Sequence, residues 1–225
     1  MIARVVVQTT LVVAVMGAVL FLAAGDWRWP QAWLFLGEFG SAGLAISFWL
    51  LRHDPALLES RMSWPVQREQ MRWDRYFMLA AGIVFTLWLA LMGLDARRFG
   101  WSEVPVLVQV LGIALIALGM LAVWWTFRFN SFAAPQVRMQ IARGHRVITE
   151  GPYRIVRHPM YAGSIVYLLG MPLLLGSWWG LAMVPLMVVG LTRRIAGEER
   201  MLRRDLAGYE EYAGRVRWRL VPGIW

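Results

Sequence analysis

Two arginines, a histidine and two tyrosines crowd into GPYRIVRHPMYAG, Gly151 to Gly163, just ahead of a strongly apolar run. Beyond a hydrophobic hairpin the chain reaches a carboxylate pair, Glu198-Glu199. Guanidinium groups grip carboxylates and phosphates through planar forks, carboxylates grip ammonium groups and hydroxyls, and aromatic faces attract cations. Together they suit a ligand that carries both signs of charge. Each residue also has a plainer reading: Arg157 at a membrane edge is by itself a headgroup anchor, and His158 before a proline can simply satisfy its loop. Arg194 and Glu198, four residues apart, can form an ion pair along one helix.

The elements that must carry these residues are membrane helices. Of the 225 residues 59% are hydrophobic and 16% charged, which describes a polytopic membrane protein rather than a soluble domain. Cysteine is absent, which removes disulfides, thiolate metal sites and cysteine nucleophiles, and three scattered histidines offer no credible metal set. Runs long enough to cross a hydrocarbon core lie near Val5 to Ala24, Trp33 to Leu51, Phe77 to Leu94 and Val104 to Phe127. Two shorter ones, Met160 to Leu175 and Trp178 to Leu191, are joined by the turn residues Gly176-Ser177 and read as a tight hairpin. The expected fold is all-α, a polytopic bundle of about six transmembrane helices. The first run exceeds a signal-peptide core and is expected to stay as a helix.

All 23 basic residues are arginine. With six spans, only Arg28, Arg97 and Arg98 fall on one side, so both termini are expected in the cytoplasm, in a multi-pass protein of the cell inner membrane. The charge suits anionic headgroups; dispersed over three membrane-adjacent segments, it does not suit nucleic acid. The chain divides near Phe127 into a four-helix scaffold (1–127) and a region with most of the reactive side chains (128–225). In the scaffold, Met62, Trp64 and Val66 mix with charge in the manner of an interfacial segment, and Glu38 falls inside the second span. In the tail, Leu202, Leu206, Tyr209 and Ala213 recur at helical spacing, predicting one cytoplasmic amphipathic helix. At about 1.5 Å per residue the hairpin goes out and returns by similar lengths, so His158 and Glu198 emerge on the same membrane face. Pro172 and Pro185 fall inside its helices and are expected to bend them, and its glycines permit close contact.

GHRVITEGPYRIVRHPMYAG (Gly144 to Gly163), RRIAGEE (Arg193 to Glu199), GYEEY (Gly208 to Tyr212) and the ending RWRLVPGIW resemble the isoprenylcysteine carboxyl methyltransferase family, related to the phospholipid N-methyltransferases. The resemblance covers roughly Gly144 to Trp225. It implies that the hairpin and tail enclose S-adenosyl-L-methionine and that a lipophilic or prenylated substrate enters from the membrane. It also implies a pocket lined by His145, Tyr153, His158, Tyr161, Glu198 and Glu199, with Arg157 and Pro159 completing RHPxY. Arg157 is then the fork for the cofactor's carboxylate, and Arg194, ahead of the glutamate pair, the cation for an acceptor carboxylate. An amine or thiol acceptor would instead need a proton acceptor, with Glu199 or His145 as the choices. Spacing leaves open which glutamate does what. A membrane reductase using NADPH and a non-catalytic membrane subunit are the competing readings, and oligomeric state is not legible.

Overall fold

The computed structural model describes residues 1–63 and 70–225, and among them every regular element is helical. Trp64 and Val66, expected at the interface, lie outside the described residues. The long helices are α1 (Ile2–Ala24), α2 (Pro30–His53), α4 (Arg72–Gly93) and α5 (Val106–Phe129), with a short α3 (Pro55–Arg61) after α2. Pro30 opens α2, and the Asp54 side chain caps α3 by accepting from the Leu57 N–H at 2.9 Å. A π-helical turn, Leu94–Phe99, extends α4. The hairpin follows as α6 (Pro159–Leu175), α7 (Trp178–Ala182) and α8 (Val184–Asp205), and the tail as α9 (Tyr209–Arg215).

Among the described residues five stretches are long and apolar enough to cross a membrane: α1, α2, α4 with its π turn, α5, and α7 with α8. The sixth expected span, α6, is an apolar helix of only 17 residues, at the short end of what crosses a bilayer. Its bounds are set by Pro159 at the start and Gly176 at the end. Large apolar side chains point outward, Leu107 being 81% exposed, as a lipid solvent requires.

Three further expectations are corrected. Pro185 does not interrupt a helix; the chain breaks at Met183 and Pro185 sits in the first turn of α8, where a missing N–H costs nothing. The tail is not one helix. Helix α8 runs on to Asp205, the chain turns at Gly208 with φ 81°, and α9 begins afresh. Leu202, Leu206, Tyr209 and Ala213 still share one buried cluster with Val137, Met201 and Tyr212, so the stripe packs together although the helix does not continue. And the segment after His53 is not merely interfacial: Leu57 and Leu58 of α3 are buried with Val5, Leu50 and Phe127.

The closest helix pair is α5 against α6, which run antiparallel through a glycine seam. A Cβ on Gly112 would lie 2.4 Å from the Leu174 nitrogen and 2.8 Å from the Gly170 oxygen; on Gly119, 2.7 Å from the Tyr167 nitrogen and 2.8 Å from the Gly163 oxygen. In lipid, where apolar burial does not drive helices together, such backbone contact supplies the packing. At the far end, buried Asp95 accepts from the hydroxyls of Ser102 and Ser177, pinning the hairpin apex to α4. The seam and the pin fix how α6 and α8 return to the opposite membrane face.

Gly119→Leu should therefore lower the melting temperature of the detergent-solubilised protein by several degrees, at about 2–4 °C per kcal/mol for an overpacking cost of about 1–3 kcal/mol. Gly82→Leu, which has nothing within 4 Å of the new Cβ, should not. Equal melting of the two variants would contradict the seam.

Candidate functional site

At the end of the bundle away from Asp95, the loop 130–158, the start of α6, the end of α8 and α9 surround a pocket open on one side, with a cavity volume of about 90 Å³. His145, Tyr153, Arg157, His158, Tyr161 and Glu198 line it, with Phe132, Arg138, Arg146, Tyr209 and Tyr212. Glu199, Pro159 and Arg194 do not. Pro159 opens α6, with His158 as the residue before the helix.

The glutamate pair is split. Glu198 is half-buried on the pocket side and accepts from the Tyr161 hydroxyl at 2.8 Å. Glu199, 3% exposed, turns into the protein. Its Oε1 accepts from Arg157 Nε at 2.7 Å and lies 3.2 Å from His158 Nε2, while Oε2 accepts from Arg219 Nε at 3.0 Å. Arg157 also donates to the carbonyls of Val216 and Arg217 at 2.8 and 2.9 Å. The N–H groups of Arg157 and His158 donate to the carbonyls of Trp218 and Arg219. The result is a buried charge knot that fastens the C-terminal tail across the start of α6.

This geometry bears on the two arginines expected to hold carboxylates. Arg157, expected to fork onto a ligand carboxylate, gives Nε to Glu199 and Nη1 to the tail carbonyls, while its Nη2 has no acceptor among the described residues and the side chain lines the pocket. Arg194 was expected to hold an acceptor. It instead pairs with fully buried Asp74 of α4 at 2.9 Å and donates to the Pro135 carbonyl, its guanidinium 5.3 and 5.8 Å from the ring centroids of Phe77 and Tyr161. Asp74 also accepts from the Val137 N–H and from Gln70, so one carboxylate of the N-terminal half ties α8 and the pocket wall together. Sequence reading missed Asp74, which sits at a span edge with no motif around it. It also missed Arg146, exposed at the pocket rim with no side-chain partner among the described residues.

His145 packs its ring against Phe132 at 4.7 Å, and its Nδ1 accepts from the Gln140 N–H at 3.4 Å. That bond selects the tautomer with the proton on Nε2. Burial lowers its pKa, partly offset by nearby Glu198, and leaves the ring neutral at pH 7. Burial also pushes Tyr153, which accepts from Asn130, above the ordinary tyrosine value, so it is a neutral hydroxyl. The pocket thus combines a carboxylate, a neutral imidazole, tyrosine hydroxyls and faces, and a rim cation.

Residues 107–207 match the family model described as PEMT, phospholipid methyltransferase. This segment, a little under half of the chain, is similar to that family. The matched segment runs from the start of α5 past the end of α8, taking in the glycine seam, the pocket loop and both glutamates, while Asp74, α9 and Arg219 lie outside it. Two curated relatives, described as probable protein-S-isoprenylcysteine O-methyltransferases of Oryza sativa subsp. indica and subsp. japonica, are each 34% identical over 89 residues. The match covers 36% of this chain and 43% of each relative, so the chain spans less than half the length of these relatives. A solved structure of the eukaryotic intramembrane Ras methyltransferase ICMT aligns over 97% of this chain and 86% of its own, at 18% identity and a TM-score of 0.48.

The lowered pKa of His145 has a definite sign. The unfolded chain takes up the proton first, so the stability this residue contributes is complete above about pH 6.5 and falls as the pH drops below it. His145→Gln should flatten the loss of melting temperature between pH 7 and pH 5.5, and an unchanged slope would contradict the buried neutral ring.

Proposed function

We propose that the chain is an integral-membrane methyltransferase that uses S-adenosyl-L-methionine to methylate a lipophilic acceptor, in the first instance a carboxylate. The observation that carries this reading is a two-sign polar pocket, built on Glu198 and closed by a tail knotted to Glu199, within a segment similar to the phospholipid methyltransferase family. The names of the curated relatives favour an isoprenylcysteine acceptor. The residues fit the cofactor's chemistry. Glu198 meets an ammonium or ribose hydroxyls, Arg146 at the rim a carboxylate, and the faces of Tyr209 and Tyr212 a sulfonium. When bound, S-adenosyl-L-methionine supplies an electrophilic methyl group on that sulfonium.

The chain's own contribution is alignment and exclusion of water, which is most of what an in-line displacement needs. A carboxylate acceptor is ionised at neutral pH and releases no proton on methylation, so no base is required. That agrees with Glu199 being held by two arginines rather than free to take a proton. His145 keeps its Nε2–H as a donor toward the pocket. Arginines near the pocket end, among them Arg52, Arg72, Arg128 and Arg193, favour the cytoplasmic side for this pocket and for both termini, in the inner membrane of a cell. We assign the pocket and its closure to residues 128–225 and the membrane frame to residues 1–127.

The test is saturable binding of S-adenosylhomocysteine to the purified, nanodisc-embedded protein. Glu198→Gln should weaken it roughly tenfold or more, the loss of a charge-assisted hydrogen bond, and NADPH should not compete. Absence of saturable binding, or competition by NADPH, would overturn the reading.

A further inference from the structure

Arg194 is paired with Asp74 and Arg157 with Glu199, and a third arginine without a carboxylate partner among the described residues stands beside the pocket. Arg61, the last residue of α3, is half-buried beside the pocket loop. One of its terminal nitrogens donates to the Ala133 carbonyl at 2.8 Å and lies 3.9 Å from the Met160 sulfur, and its guanidinium stacks 4.3 Å from the Phe127 ring centroid. No carboxylate pairs with it among the described residues. A guanidinium has five N–H donors, and among the described residues its acceptors here are one carbonyl and one thioether. Burial lowers its pKa to about 10, which leaves it cationic at neutral pH.

Arg61 stands between two spaces. Ala133 and Met160, which it touches, also line the polar pocket. On its other side Arg61 lines a cleft of about 320 Å³ between α1 and α2, whose other polar residues are Gln8, Thr9 and Ser47. Val12 and Phe39 are shared with a second cleft of about 460 Å³ between α1 and α4, lined mainly by apolar side chains such as Met16, Phe85 and Leu89. The sequence of surfaces is therefore polar pocket, unpaired cation, weakly polar mouth, apolar channel. An amphiphile with an anionic head and one long tail matches that order, and its charge would supply the counter-ion that Arg61 lacks.

We propose that Arg61 holds the carboxylate of the methyl acceptor and that the cleft running from α2 past α1 to α4 receives its single apolar tail. This assignment rests on the methyltransferase reading and adds to it a specificity-determining cation and a tail path, both in the N-terminal half.

The experiment measures equilibrium binding of N-acetyl-S-farnesyl-cysteine to the full chain in nanodiscs, with S-adenosylhomocysteine binding in parallel. Arg61→Gln should weaken the farnesyl probe roughly 10- to 100-fold, Arg61→Lys should recover part of that, and both should leave S-adenosylhomocysteine affinity within twofold. The methyl ester of the probe should bind wild type as weakly as the acid binds Arg61→Gln. Gly43→Leu projects into the cleft, since its new Cβ meets only the Thr9 methyl at 3.8 Å, and should weaken the probe while sparing S-adenosylhomocysteine. Unchanged probe binding in Arg61→Gln with S-adenosylhomocysteine intact would overturn the assignment, as would equal binding of acid and ester. Displacement of the probe by phosphatidylglycerol at equal concentration would give the cleft to bilayer lipid and likewise overturn it. Loss of S-adenosylhomocysteine binding by wild type, with probe binding still dependent on Arg61, would overturn the methyltransferase reading instead.

Discussion

A carboxylate buried at the end of a membrane bundle must be neutralised on the spot, and Glu199 is neutralised by residues from both ends of the C-terminal region. Arg157 comes from the loop before α6 and Arg219 from the tail, with His158 alongside. Removing one partner from such a pair costs about 3–5 kcal/mol, because the other is left charged and dry. The knot therefore dictates where the tail can run. Once Arg157 has taken the carbonyls of Val216 and Arg217, α9 must lie over α8, and Tyr209 and Tyr212 become pocket walls. Glu198, the neighbouring residue, is turned outward by the same helix rotation that turns Glu199 inward, which leaves it to the pocket.

A second buried pair makes the two halves interdependent. Asp74 begins α4, yet it holds Arg194 of α8 and the backbone at Val137 of the pocket loop. The glycine seam works at the same boundary, since α5 packs along α6 at backbone distance. A scaffold in the N-terminal half is thus more than a membrane anchor. It sets the position of the helix that bears both glutamates, and with Arg61 it contributes charge beside the pocket.

What could be read from the sequence follows from the range of each interaction. Apolar runs announce helices locally, Gly176-Ser177 announces the hairpin, and Leu202, Leu206, Tyr209 and Ala213 announce a shared buried face. The tail break was signalled by Gly208, whose left-handed backbone disfavours a continuing helix, but the regular stripe outweighed it. Partner choice was not legible. Arg194 lies four residues from Glu198, so spacing suggested a local role, whereas its partner Asp74 is distant in sequence and close only after folding. Likewise adjacent glutamates look equivalent in a sequence and face about 100° apart on a helix. Arg61 carried no motif and fell in a segment that read as interfacial.

The most direct measurement is amide hydrogen exchange across Arg157, His158, Arg219 and Leu220 in the nanodisc-embedded protein, comparing Glu199→Gln with Glu198→Gln. If the buried carboxylate is what closes the tail, Glu199→Gln exposes these amides to fast exchange while Glu198→Gln leaves them as protected as in wild type. Protection that persists in Glu199→Gln, or is lost only in Glu198→Gln, would contradict it.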